Sequence, residues 1–433
     1  MKSKLLTFGT LTILVIAVAL FITEPAQGQS LTESLSQYTW PMFHHDLNHS
    51  GYTDSPAPNT ANVLWKYKTD SAITSSPAVV DGRLFIGSHD GYIYSLNSTN
   101  GDLIWKYKTG NWIYYSSPAV ADGKVYVGSW DDYIYALDEM NGTLLWKYKT
   151  ERIITSPPVV ANGRLFIGSS DYYLYSLNAT TGELVWKFKT SGHVTASPSV
   201  VDDAVFVGSW NPGYTFYSLN ASTGDVIWSR KTRSVLNGSP AIDGDKIFIT
   251  EHGVPAYIYC LDKNTGNLIW EYQTDLSMLP SPAFHDGKVF AGSWDKNVYA
   301  WDENTGKLVW TYKTGSPVIS SPSIADGKVF IGSLDYYVYS LDEKTGSLVW
   351  KYKTDAVVKS TPAIAYGNVY IGSEDSYVYC FGGGGQSQQP WLFSSDLYDL
   401  LRTVLIVVIA VALIGTYVYV RIRKRKPKTD SST

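Results

Sequence analysis

Between residues 63 and 381 the chain alternates apolar and polar positions in short runs, each closed by Gly, Asp, Asn or Pro. One stretch reads ITSSPAVV, RLFIGS, YIYSLN and DLIWKYKT, separated by DG, HDG and STNG. The alternation of Tyr92, Tyr94 and Leu96 against Ile93 and Ser95 has period two, which suits a strand lying between two packed faces. No segment here carries an apolar stripe of helical length, so helices are predicted only at the two ends of the chain.

The pattern repeats. Trp65, Trp105, Trp146, Trp186, Trp228, Trp270, Trp310 and Trp350 recur at intervals of 40 to 42, mostly within W-K-Y-K-T or a close variant. A period near 40 marks a propeller or solenoid, and four short runs per period make a propeller blade. Ser-Pro or Thr-Pro opens the inner run eight times, at Pro77, Pro118, Pro157, Pro198, Pro240, Pro282, Pro322 and Pro362. The two sets are out of phase: Trp65 precedes the first inner run, and no Trp run follows Cys380 and Phe381. Pairing Val63 to Thr69 with Ser376 to Phe381 removes both unpaired edges at once. The predicted fold is all-β, an eight-bladed β-propeller of four-stranded blades over 63–381, closed by the N-terminal strand and preceded by a lead-in at 29–62.

The ends read as addresses. Lys2 and Lys4, an apolar stretch from Leu5 to Ile22, and small residues at Ala26 and Gly28 indicate a secretory signal over 1–28. A Gly- and Gln-rich linker at 382–398 leads to a transmembrane helix at 399–420, whose core from Thr403 to Val420 is uncharged. The tail at 421–433 holds six cations, and the positive-inside rule puts it in the cytoplasm. The expected location is the plasma membrane, crossed once, with the propeller outside. Without the cations and anions of these termini, 27 cations face 37 anions, a body near -10. Such a body does not suit phosphate backbones, so nucleic acid is excluded as a partner. Two cysteines cannot make a disulfide framework. Cys260 and Cys380 fall where other repeats have Ser or Ala, and they read as small buried residues in separate blades.

The segments SLNATTGELVW, AWDENTGKLVW and SLDEKTGSLVW resemble the A-x-D-x-x-T-G-x-x-x-W repeat of the quinoprotein dehydrogenase superfamily, which includes the BamB-like outer-membrane assembly proteins. The resemblance implies that each of the eight Trp docks on the next blade, against Gly101, Gly142, Gly182, Gly224, Gly266, Gly306 or Gly346. Asn97, Asp138, Asn178, Asn220, Asp262, Asp302 and Asp342 then begin turns that end at those glycines. Enzymes of the superfamily hold pyrroloquinoline quinone on the axis, often under two adjacent cysteines, beside calcium ligands and a catalytic Asp. This chain has no adjacent cysteine pair and no C-x-x-C-H for haem, so no cofactor and no catalytic residue are expected. A quinone-dependent dehydrogenase with calcium remains the alternative. In WPMFHHDLNHSGY, His44, His45, Asp46 and His49 have spacing that suits a metal, although packing of a lead-in explains them as well.

Strand reversal divides the loops between two faces. One face carries the turns that contain the N-x-S/T sequons at Asn97, Asn141, Asn178 and Asn220; further sequons lie at Asn48 and Asn237. The other carries the crossings between blades and the loops joining second to third strands, where the repeat varies. There fall Trp112, Tyr114, Tyr115, Trp130, Trp210, His252 and Trp294, with His89, His193, Leu236, Glu251, Met278, Leu279 and Glu374. Trp and Tyr at a concave mouth suit a protein, peptide or glycan partner. The expected function is a non-enzymatic binding scaffold at the cell surface, within reach of envelope protein assembly.

Overall fold

The computed structural model describes residues 38–210 and 213–383. The signal, transmembrane helix and basic tail expected from the sequence lie outside the described residues, as does the linker beyond Gly383. The described residues form eight four-stranded antiparallel sheets and no helix. Blade one comprises Ala78–Val80, Arg83–Gly87, Tyr92–Asn97 and Leu103–Lys108, ordered from the axis outward, and the next six follow the same plan. Blade eight takes three strands from the end of the chain, Ala363–Ala365, Asn368–Gly372 and Tyr377–Gly382, and its outer strand from the beginning, Val63–Lys68. Trp65 lies opposite Cys380, and Lys68 opposite Tyr377.

The inner strands are only three residues long, shorter than the apolar runs suggest. The preceding Pro lacks an N–H, and the hydroxyls before it take over backbone bonding. The Ser76 amide donates to the hydroxyl of Ser117 in the next blade at 2.9 Å. Equivalent bonds join Ser197 to Ser239, Ser239 to Ser281, Ser281 to Ser321, Ser321 to Thr361 and Thr361 to Ser76. This hydroxyl ring is interrupted at blade three. There Pro158, not the Pro157 picked out by the sequence motif, precedes the inner strand Val159–Ala161, and Pro157 occupies the hydroxyl position.

The outer strands carry a β-bulge. Ser95 pairs with Trp105 but Leu96 with Leu103, so Ile104 is an extra residue, and the same shift recurs in the other blades. The bulge breaks the period-two pattern, leaving Leu103 and Ile104 both exposed while Trp105 turns inward. Beyond it, alternating lysines face solvent and blunt the edge. Lys106 also lies over the Tyr92 ring, 4.5 Å from its centroid.

Each indole packs across a blade junction. Trp105 lies against Gly142 so closely that a Cβ on that glycine would sit 2.6 Å from the ring. The same contact joins Trp65 to Gly101, Trp146 to Gly182, Trp186 to Gly224, Trp228 to Gly266, Trp270 to Gly306 and Trp310 to Gly346. The Trp105 N–H donates to the Glu139 carbonyl at 2.9 Å, so the buried donor is satisfied. Opposite each Trp stands the small residue of the third strand. Ser95, Ser176 and Ser340 bury hydroxyls without a partner there, which is why Ala and Cys serve equally well. Cys260 and Cys380 are free and buried, and burial pushes the Cys260 thiol up to about 12.

The lead-in threads the axis. Trp40 pairs with Val79 of blade one, and Pro41, Leu47, Asn48, Ser50 and Gly51 accept amides of the inner strands of blades two, four, five, six and seven in turn. The free inner edges of these six blades are thereby paired by the chain itself.

Candidate functional site

Two regions depart from the eightfold repeat: the axis and one sector of the crossing face.

On the axis, His44 and His49 are fully buried. The His49 ring engages the Ser199 hydroxyl at 2.9 Å, the Pro240 carbonyl at 3.2 Å and the Ser197 hydroxyl at 3.4 Å. Desolvation lowers His44 to about 3 and His49 to about 4, so both are neutral near pH 7. Asp46 accepts both the amide and the hydroxyl of Ser50, and His45 stands 3.5 Å from it. His44, His45 and His49 all have positive φ, so the segment turns sharply at each. Among the described residues no group of three or more His, Cys, Asp or Glu converges to hold a metal ion.

On the crossing face, six of the loops between second and third strands are locked from below by an Asp. In blade one the Asp90 carboxylate accepts the Asp70 and Tyr92 amides and, at 2.7 Å, the Tyr94 hydroxyl. Asp131, Asp171, Asp295, Asp335 and Asp375 hold the equivalent tyrosines. The next residue inward is latched by its amide to a crossing carbonyl, as in His89 to Ala72, Trp130 to Trp112, Trp210 to His193 and Trp294 to Ser277. The amide latch thus recurs around the ring, and the side chains at its position differ: His89, Trp130, Ser170, Trp210, His252, Trp294, Leu334 and Glu374.

Three of the residues assigned to this face from sequence belong to the interior. Leu236 and Met278 are buried, and Leu236 packs on Gly208 as Ile113 does on Gly87. Glu251 is also fully buried: it takes the place of the tyrosine-holding Asp, accepting from the Tyr259 hydroxyl and the Ser234 amide. Desolvation raises its pKa. Leu279 is half-buried, and the His252 ring, lowered by burial, has an unpartnered Nδ1.

The remaining residues do not form one patch. Trp210 neighbours His193, and Trp294 stands apart, 39% exposed. Trp112, Tyr114, Tyr115 and Trp130 do converge, together with His89. Ring centroids are 5.5 Å apart for His89 and Trp112, 5.4 Å for Trp112 and Trp130, and 5.0 Å for Trp130 with Tyr114 and Tyr114 with His89, a closed circuit of four aromatics. Tyr115 touches Tyr114 at 4.4 Å. It is an extra residue in this crossing and adopts φ of 60°, an uncommon conformation for a bulky side chain. Blade eight adds the Lys359–Glu374 ion pair, 2.7 Å long and part-exposed. Burial lowers His89, and Glu374 and Lys359 both act on it; burial raises Tyr115, which Glu374 also reaches. Lys359 is the member of this cluster that sequence reasoning missed, because only the fold brings it beside residues some 270 positions earlier.

On the opposite face, the Asn97, Asn178 and Asn220 side chains accept amides within their own turns and are half-buried, whereas Asn141 is exposed.

Residues 55–153, 130–272 and 254–386 match the family model described as outer membrane protein assembly factor BamB. No curated protein matches the chain. Among solved structures, BamB from Moraxella catarrhalis is 17% identical with a TM-score of 0.65, over 76% of this chain and 99% of that one. A europium-containing methanol dehydrogenase is 15% identical with a TM-score of 0.71, over 81% and 99%. The quinohemoprotein alcohol dehydrogenase from Comamonas testosteroni is 16% identical with a TM-score of 0.71, over 84% of each chain. At these identities the likeness is one of fold, and it extends to enzymes and to an assembly factor alike.

Proposed function

This chain belongs to the family of the outer membrane protein assembly factor BamB, and on that premise we propose that it is a non-catalytic scaffold whose crossing face engages a protein partner. The observation that carries the reading is the lead-in on the axis. Trp40, Met42, His44 and His49 are buried there, where the resemblance would place a quinone, and the His49 ring is already engaged by blade hydroxyls. Six Asp carboxylates of the face loops are likewise engaged by tyrosine hydroxyls and loop amides, and Glu374 by Lys359, so they do not suit calcium ligation or proton abstraction. These residues do not fit pyrroloquinoline quinone with calcium, and no reaction step is assigned.

The same reading places the propeller outside the cytoplasm, with residues 1–28 as an export signal and 399–420 as a single membrane anchor, and gives it work in envelope protein assembly. A locked loop framework with variable Trp, His and Glu side chains supports a binding role, because rigid aromatic side chains lose little entropy on contact.

Photo-crosslinking side chains placed in living cells at Trp112, Trp210 or Trp294 should each give discrete protein adducts, while the same group at Thr180 or Lys344, on the turn face, should give none. Adducts from the turn face alone would overturn the proposal.

A further inference from the structure

We infer that the sector over blades eight, one and two is a carbohydrate subsite that takes one neutral pyranose residue of a glycan. This deepens the scaffold reading, on which it rests, by giving the partner a sugar as the part recognised.

The argument is one of chemical fit. Trp112 is 47% exposed, and its ring plane lies within 11° of His89 and 27° of Trp130. Tyr114 stands edge-on to Trp130 and fixes the group from the side. The platform is therefore held in place before any ligand arrives, and an exposed indole supplies a broad apolar surface with little flexibility.

The polar fringe decides the ligand's charge. Glu374 and Lys359 are bound to each other at 2.7 Å, so this pair offers a hydrogen-bond acceptor and donors with no net charge. A cationic side chain would find aromatic faces, but the Asp90 and Asp131 carboxylates beside them are occupied by Tyr94, Tyr135 and loop amides. An anion would meet Lys359, already paired with Glu374, and Lys108, already bonded to the Asp90 carbonyl. An extended peptide needs free main-chain groups to pair with, yet the amides of His89, Trp130 and Glu374 are latched to crossing carbonyls. A pyranose has an apolar C–H face and a rim of neutral hydroxyls, which matches an exposed indole beside a charge-balanced donor and acceptor. The positive φ of Tyr115, the extra residue of this crossing, is strain at the same place, and such strain persists where it serves a site.

The test is saturation-transfer NMR on the full chain in lipid nanodiscs, avoiding glucoside detergents, with maltotriose, chitotriose and mannotriose as probes. At least one should show saturable transfer focused on C–H protons. Trp112→Ala should weaken it at least ~10-fold, the loss expected when a platform ring is removed, with an unchanged melting temperature, and Trp294→Ala should leave it intact. Absence of saturable transfer from all three sugars overturns the inference, as does equal binding by Trp112→Ala. Sugar binding that persists while crossing-face crosslinks fail would remove the protein-partner reading alone. Crosslinks that persist without sugar binding would leave a protein contact and remove this subsite.

Discussion

The indole N–H of Trp350 donates to the carbonyl of Pro58 at 3.0 Å, across 292 positions of sequence. The other seven tryptophans bond a carbonyl in the turn of the next blade; Trp105 with Glu139 is one case. Trp350 finds that carbonyl in the lead-in, which completes the last junction where no further repeat exists.

Removal of residues 38–62 should therefore do more than trim a terminus. It takes away the Trp350 acceptor and unpairs the inner edges held by Pro41, Leu47, Asn48, Ser50 and Gly51. The expected loss exceeds the roughly 3 to 5 kcal/mol of a Trp truncation, read by urea denaturation. A truncated chain with the wild-type midpoint would contradict the axial role.

Gly142 and Gly163 separate packing from backbone strain. Both have positive φ, 72° and 71°, yet a Cβ at Gly142 meets Trp105 at 2.6 Å whereas one at Gly163 meets nothing within 4 Å. Both Ala variants should lose about 1 to 2 kcal/mol from the left-handed conformation. Gly142→Ala should lose about 1 to 3 kcal/mol more, from overpacking. Equal midpoints for the two variants would mean that the indole contact is not tight.

Acid should weaken the axis. His44 and His49 lie at about 3 and about 4 in the folded chain, below their value of 6.5 when free. A lowered His pKa leaves stability complete above pH 6.5 and removes it as pH falls, because the unfolded chain takes up protons first. Each imidazole accounts for about 1.4 kcal/mol per pH unit in that window. Melting temperature should decline steadily from pH 6.5 to pH 4.5, and His44→Asn, which tolerates the positive φ, should flatten the decline. A parallel decline in the variant would assign the acid sensitivity to other groups.

Ser95→Ala makes a prediction of the opposite kind. The hydroxyl is buried opposite Trp105 and lacks a partner, so its removal should be neutral or slightly stabilising. Ser239→Ala instead strands the Ser197 amide in the axial ring and should cost about 1 to 3 kcal/mol. Calorimetric melts should fall for Ser239→Ala and hold or rise slightly for Ser95→Ala.

Pyrroloquinoline quinone with calcium should not be taken up stoichiometrically by the purified chain. Isothermal titration reads this directly, and a saturable one-to-one isotherm would reopen the dehydrogenase alternative.

Much of the fold was legible in the sequence because a repeated period exposes its own phase: eight tryptophans out of step with eight inner runs require Val63 to meet Phe381, and they do. What repeats in three dimensions without repeating in local pattern was not legible. The bulge at Ile104 and the three-residue inner strands depend on pairing geometry, and the axial path of the lead-in depends on backbone bonds to the inner strands of six blades. Variation alone also misled. Leu236, Glu251 and Met278 differ from their counterparts, as surface residues would, yet each fills an interior position, two against neighbouring core and one as a substitute for Asp. Conversely, the meeting of His89 with Trp112 and of Trp130 with Tyr114 required the crossing of blade two to lie over blade one.

Because Val63 pairs with Phe381, the strand made first waits for the strand made last. Until then the growing polypeptide has neither a sealed outer edge nor a settled axis, and long-range pairing of this kind forms slowly. A chain of this design stays open while it is synthesised, and it locks only after its final blade has been made. The same timing leaves earlier blades with bare edges for that interval, so a holding chaperone would find its substrate there.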